Sequence, residues 1–209
     1  MNTKSDELLK LAKATVLNAG LNWASLQRRA KQIIVYGSYA MSENKKNSDL
    51  DLLCIGKGRR VKRNSIHIIW LSESRLRSKR WLGSELATHI AVYGKWIKGT
   101  NTWANCFRPN AHALKLVRKR VQTRAIALRH YWRQLIPTHR TKHMLRLRRD
   151  LQRLLMMREG RPPVASGTLD REWRAHGANR AWSSLLREAP TLARDIKPVL
   201  SLARIHNSS

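Results

Sequence analysis

The sequence predicts an α+β domain followed by an all-α helical domain. Three observations carry this. Three strand-sized apolar runs sit among helices in the first half, only helical periodicity follows residue 110, and Gly99–Pro109 (GTNTWANCFRP) between them reads as a linker. The expected domains are therefore residues 1–105 and 106–209.

Ser5–Asn18 reads as an amphipathic helix, with Ser5 as cap, Asp6 and Glu7 in its first turn, and Leu8, Leu9, Leu11, Ala12 and Val16 on its apolar side; Gly20 stops it. A short helix is expected over Trp23–Lys31. Strands follow at Gln32–Tyr36 (QIIVY), Leu50–Ile55 (LDLLCI) and, after a basic turn Gly56–Arg63, Ser65–Leu71 (SIHIIWL). Their near-continuous apolar character predicts burial on at least one face, with both faces favoured. Ser84–Ile97 reads as a helix, with Tyr93 or Trp96 available to stack on a base but better explained as covering the sheet. Beyond the linker, helices are expected over Asn110–Leu135, Thr138–Arg158, Thr168–Glu188 and Thr191–Ala203, broken at prolines and glycine.

Composition narrows the function classes. There are 42 Lys+Arg against 13 Asp+Glu, a net charge of +29 spread over both halves, so a polyanionic partner is expected, nucleic acid first. Eight tryptophans need a packed core, which argues against a disordered basic tail. No apolar run approaches the roughly 18 residues of a membrane span. The start MNTKSDELLK lacks the apolar core of a signal peptide, and Cys54 and Cys106 make neither a metal cluster nor a disulfide framework, so the expected compartment is the cytoplasm.

The chemistry concentrates in Val35–Ile55 (VYGSYAMSENKKNSDLDLLCI). Gly37-Ser38 closes one strand, and ten residues later Asp49-Leu50-Asp51 opens the next. Side chains at i and i+2 of a strand share a face, so Asp49 and Asp51 project together. Two adjacent carboxylates repel unless a cation lies between them, and such a pair suits Mg²⁺ (or Mn²⁺) completed by phosphate oxygens and water. Gly37 permits close backbone approach and Ser38 can hold a phosphate. Lys45 and Lys46 either add positive charge at the phosphates or form a solvated loop. The pattern describes a nucleoside triphosphate held by metal against a strand and turn; the plainer alternative for the aspartates is a strand-start cap and a surface charge.

Gly37-Ser38, ten residues, then Asp49-x-Asp51 resembles the signature of the DNA polymerase β-like nucleotidyltransferases, most of all their minimal branch, with Tyr39-Ala40 and Ser48 also matching. The resemblance covers about residues 25–100. It implies a short mixed sheet flanked by helices, Mg²⁺ on Asp49 and Asp51, and transfer of a nucleoside monophosphate from a triphosphate to a hydroxyl. It also implies a third carboxylate on the next strand, and there this sequence departs: the matching position is His67, between Ile66 and Ile68. Three readings stay open. His67 serves as base, Glu73 or Glu85 supplies the acid, or catalysis is lost and a binding module remains.

The helical half contributes charge. Lys115, Arg118, Lys119, Arg120, Arg124, Arg146, Arg149 and Arg153 are the candidate nucleic-acid contacts, with RNA favoured over DNA, and Leu145, Leu147, Leu151, Leu154 and Leu155 the core positions. Trp132, Trp173 and Trp182 either stack on bases or pack inside. His139 and His143 lie one turn apart without a visible third metal ligand. The spacings Arg124/His130 and Arg133/His139 resemble the ribonuclease motif of HEPN-type helical domains, a pattern that chance supplies readily in so basic a chain. The leading reading is a Mg²⁺-dependent nucleotidyltransferase acting on RNA, a tRNA end among the candidates, or on a protein hydroxyl. A degenerate module that binds nucleic acid or a larger complex, and an antitoxin that modifies a toxin protein, are the alternatives.

Overall fold

The computed structural model describes residues 3–63, 65–106, 111–171 and 173. The chain divides into two compact units, residues 1–110 and 111–209.

The first unit opens with α1 (Thr3–Asn18), turned off by Gly20 at φ +71°, and α2 (Trp23–Arg29), whose cap is Asn22 accepting the Ser25 N–H at 2.8 Å. Strands β1 (Ala30–Tyr36), β2 (Leu50–Gly56), β3 (Val61–Arg63) and β4 (Ile66–Leu71) follow, then the short helices α3 (Glu73–Leu76), α4 (Lys79–Leu82) and α5 (Glu85–Tyr93), each started by a serine cap, and finally β5 (Lys95–Lys98). The five strands form one mixed sheet in the order β3-β4-β2-β1-β5, with β2 and β4 parallel and the remaining pairs antiparallel.

Alternation along the strands sends two apolar sets to opposite faces. Ile33, Val35, Leu50, Leu52, Cys54, Ile66 and Ile68 pack with Ala12 and Val16 of α1 and Trp23 and Leu26 of α2. Ile34, Leu53, Ile55 and Leu71 pack with Leu76, Ala87, Ile90 and Trp103. Helices therefore cover both faces, which is why the central strands are apolar throughout. Burial pushes the Cys54 thiol up to about 12.

Two elements differ from the sequence expectation. The helix expected over Ser84–Ile97 ends at Tyr93; Gly94 adopts an extended conformation, and a Cβ there would lie 2.5 Å from the Ile90 carbonyl oxygen. Lys95–Lys98 instead pairs with Ile33–Val35, because pairing to an open sheet edge outweighs a marginal helical preference. Likewise the basic turn contains β3, an edge strand paired to β4. The start of the expected linker is also packed: Trp103 is buried, and Asn101 Oδ1 accepts the Ala104 N–H at 2.9 Å ahead of a 3₁₀ turn over Ala104–Cys106.

The second unit is built on α6 (Ala111–Tyr131) and α7 (Pro137–Arg158). Ala113, Val117, Val121, Ala125 and Leu128 form the buried stripe of α6, against Met144, Leu147, Leu151, Leu154 and Met157 of α7. Residues 166–171 are helical, and the Leu169 carbonyl accepts from buried Gln152 Nε2 at 2.9 Å. The remainder of the helix expected from Thr168, the last expected helix and Trp182 lie outside the described residues. Among the described residues no helix is long and apolar enough to cross a membrane.

Candidate active site

The sheet register assembles the site. Asp51 pairs with Tyr36 on the β1 side and with His67 on the β4 side, so these three side chains share one face at one end of the sheet. The His67 imidazole fills the place beside Asp51, with Nδ1 3.2 Å from Asp51 Oδ1. On its other side, Arg60 Nε donates to His67 Nε2 at 3.0 Å. A guanidinium has only donors, so Nε2 accepts this bond, and His67 is held between a cation and a carboxylate.

Gly37 follows Tyr36 at φ +72° and sits against the same carboxylate: a Cβ there would be 2.6 Å from Asp51 Oδ2. Both demands favour glycine. From Gly37 the chain turns tightly, with the Met41 and Glu43 N–H groups donating to the Gly37 and Ser38 carbonyls. Ser38 is half-buried beside this turn, whereas Lys45 and Lys46 lie exposed on the loop that follows, where the Lys45 N–H donates to Ser48 Oγ at 2.8 Å.

Asp49 is exposed just before β2. Its charge nevertheless reaches Asp51. Burial, above all, raises the Asp51 pKa above the ordinary carboxylate value, and Asp49 raises it further; the hydrogen bond and charge of His67 and the charge of Lys62 oppose the rise. A partly buried carboxylate, crowded by a second one and backed by glycine, is an environment that favours a bound cation.

Neither alternative acid joins this group. Glu73 lies just beyond the opposite end of β4 and is paired with Lys31 at 2.6 Å, and Glu85 stands in the first turn of α5. Among the described residues no group of three or more His, Cys, Asp or Glu side chains is arranged to hold a metal. The donor set still fits Mg²⁺, since this ion is commonly held by one or two carboxylates with substrate phosphates and water completing its shell.

The nucleotidyltransferase-domain family model matches residues 23–93, the stretch that contains every one of these side chains. The chain carries a nucleotidyltransferase domain. Two solved structures show similarity. A nucleotidyltransferase-like protein from Exiguobacterium sibiricum has a TM-score of 0.39 and 15% identity, over 95% of this chain and 74% of that one. A toxin-antitoxin crystallised with AMP-PNP has a TM-score of 0.26 and 19% identity, over 44% of this chain and 78% of that one. No curated protein matches the chain.

Outside the nucleotidyltransferase domain, the arginines expected to contact nucleic acid are partly committed. Buried Asp150 receives Arg120 at 3.2 Å, Arg153 at 3.4 Å and Arg124, while Arg149 makes two hydrogen bonds to Asp170. Lys115, Arg118, Lys119 and Arg146 are exposed. The Asp150→Ala variant leaves three guanidiniums without their common buried counter-ion, and urea denaturation should show this unit destabilised by about 3–5 kcal/mol. Trp132 is buried with the Arg140 guanidinium 5.5 Å from its ring, and Arg148 lies 5.6 Å from Trp173. Of the HEPN-like pairs, Arg124 is turned to Asp150 and His130 packs edge-on to Tyr131 at 4.6 Å. The His143 pKa is lowered by desolvation and then by Arg146, Arg124, His139 and Lys142, a measure of the positive potential on this helix pair.

Sequence reasoning missed Arg60 and Lys62. The signal was present, two cations at i and i+2 ahead of a strand, but only β3 pairing places both beside His67.

Proposed function

We propose that the protein is a Mg²⁺-dependent nucleotidyltransferase that moves a nucleoside monophosphate from a triphosphate to a hydroxyl of RNA. The observation that carries this is the packing of Gly37 against Asp51, with Asp49 close enough to raise the Asp51 pKa and His67 bonded to the same carboxylate. Asp49 and Asp51 hold the metal, and Gly37 and Ser38 receive the outer phosphates, with Lys45 and Lys46 adding charge from the loop. The metal, when bound, offsets charge on the triphosphate during the in-line displacement.

In that displacement the acceptor oxygen bonds to the α-phosphorus, the bond from the α-phosphorus to the bridging oxygen breaks, and pyrophosphate leaves. His67, oriented by Asp51, takes the hydroxyl proton on Nε2 once Arg60, whose N–H occupies that lone pair in this structure, turns away from it. The charge of +29 supports RNA as the acceptor, since phosphate contacts position a strand without reading its sequence.

The test incubates the protein and its Asp49→Ala/Asp51→Ala variant with each α-labelled NTP, Mg²⁺ and total RNA. Label on RNA that disappears in the variant supports the reading. No transfer, with equal RNA binding by both proteins, overturns it in favour of a degenerate binding module, and label on a co-purified protein overturns RNA as the acceptor.

A further inference from the structure

Residues 57–63 (KGRRVKR) bring five cations, Lys57, Arg59, Arg60, Lys62 and Arg63, to the exposed edge of the sheet without an intervening acid. This is not a loose charged loop. Gly58 lies flat on Trp70, where a Cβ would come within 2.1 Å of the indole. Arg29 donates to the Lys57 carbonyl at 2.9 Å and places its guanidinium 5.4 Å from the Trp70 ring centre. Val61 packs into the core, and β3 is hydrogen-bonded to β4.

Strand alternation then divides the cations. Val61 points to the α1–α2 face, so Arg60 and Lys62 point to the site face. Lys62 stands directly opposite His67, Arg60 bonds its Nε2, and Lys62 is near enough to oppose the rise in the Asp51 pKa. A place where the resemblance leads one to expect an acid is occupied by an imidazole with two cations on its β3 side and the Asp51 carboxylate on the other, and the cationic side suits an anion. The sheet order separates this place from Gly37-Ser38. In the order β3-β4-β2-β1, Gly37 lies past β1 and Lys62 on β3, on opposite sides of Asp51 and about 14 Å apart at the usual strand spacing.

We propose that Arg60 and Lys62 form a phosphate site for the acceptor, binding a backbone phosphodiester of single-stranded RNA next to the attacking hydroxyl. This rests on the nucleotidyltransferase reading for its meaning, but its test does not depend on turnover. Anisotropy of a labelled single-stranded RNA is followed against salt for the full chain, the Arg60→Ala/Lys62→Ala variant and the Arg60→Lys/Lys62→Arg exchange.

The alanine pair should weaken binding and flatten the slope of log affinity against log salt by about 0.7, the value for one phosphate contact on a single strand. The exchange, which keeps both charges, should restore the slope, and binding of MgATP should be unchanged in all three proteins. An unaltered RNA slope in the alanine pair overturns the proposal. Loss of MgATP binding with RNA binding intact assigns the two cations to the triphosphate and also overturns it. An Asp51→Asn control that loses transfer while keeping the wild-type slope separates failure of catalysis from failure of this site.

Discussion

Asp51→Asn should abolish nucleotidyl transfer while leaving the protein folded. Asparagine keeps the shape beside Gly37 and His67 but removes the charge proposed to hold the metal, and the expected cost is about 4 kcal/mol in the barrier, or about 10³-fold in rate. The stability effect runs the other way. The Asp51 pKa is raised in the folded protein, chiefly by burial and further by Asp49. The folded state therefore binds the proton more tightly than the unfolded chain. That contribution is complete below the ordinary carboxylate value of 3.8 and is lost as pH rises through the elevated folded value. The asparagine variant should lack this fall in stability, most visibly in melting curves compared between acidic and neutral pH. Mg²⁺ with a non-hydrolysable NTP should reverse the ranking. At about 100 times Kd a ligand adds about 2.7 kcal/mol, worth about 5–10 °C in Tm for a chain of this size, and the variant should not show the rise.

Gly37→Ala should lower activity by a smaller factor and, unlike Asp51→Asn, should also cost stability. The new methyl group meets Asp51 Oδ2 at 2.6 Å, and the backbone stays at φ +72°, where an alanine is strained by about 1–2 kcal/mol. Relief comes only by moving the carboxylate, which also breaks the bond to His67. A displacement of about 1 Å is enough for about a 10²-fold loss of rate. Steady-state kinetics should show the fall in kcat at saturating Mg²⁺, because added metal cannot restore the position of its ligand. A variant with wild-type kcat would show that Asp51 has slack at this point and that Gly37 is there for the turn alone.

The sequence reveals the parts of the fold that are apolar and continuous. QIIVY, LDLLCI and SIHIIWL announce β1, β2 and β4 because both their faces are buried. VKR and KWIK do not, since edge strands keep their charged residues in solvent and owe their conformation to the neighbour they pair with. The two aspartates and the glycine–serine turn are legible because local alternation fixes their shared face. The Asp51–His67 contact is not local: it depends on parallel pairing between strands sixteen residues apart, reached by a crossover through β3. The helical arginines illustrate the same limit. Nothing near Arg120 or Arg124 in sequence indicates that Asp150, on the following helix, will take them up.

The distance between Asp51 and His67 is set by ladder hydrogen bonds, whereas the connection from Gly37 to Asp49 only has to return the chain to the sheet. Its exposed stretch 44–47 can therefore change in length while the Asp51–His67 pair stays where the β-ladder puts it, provided the charge of Lys45 and Lys46 is kept.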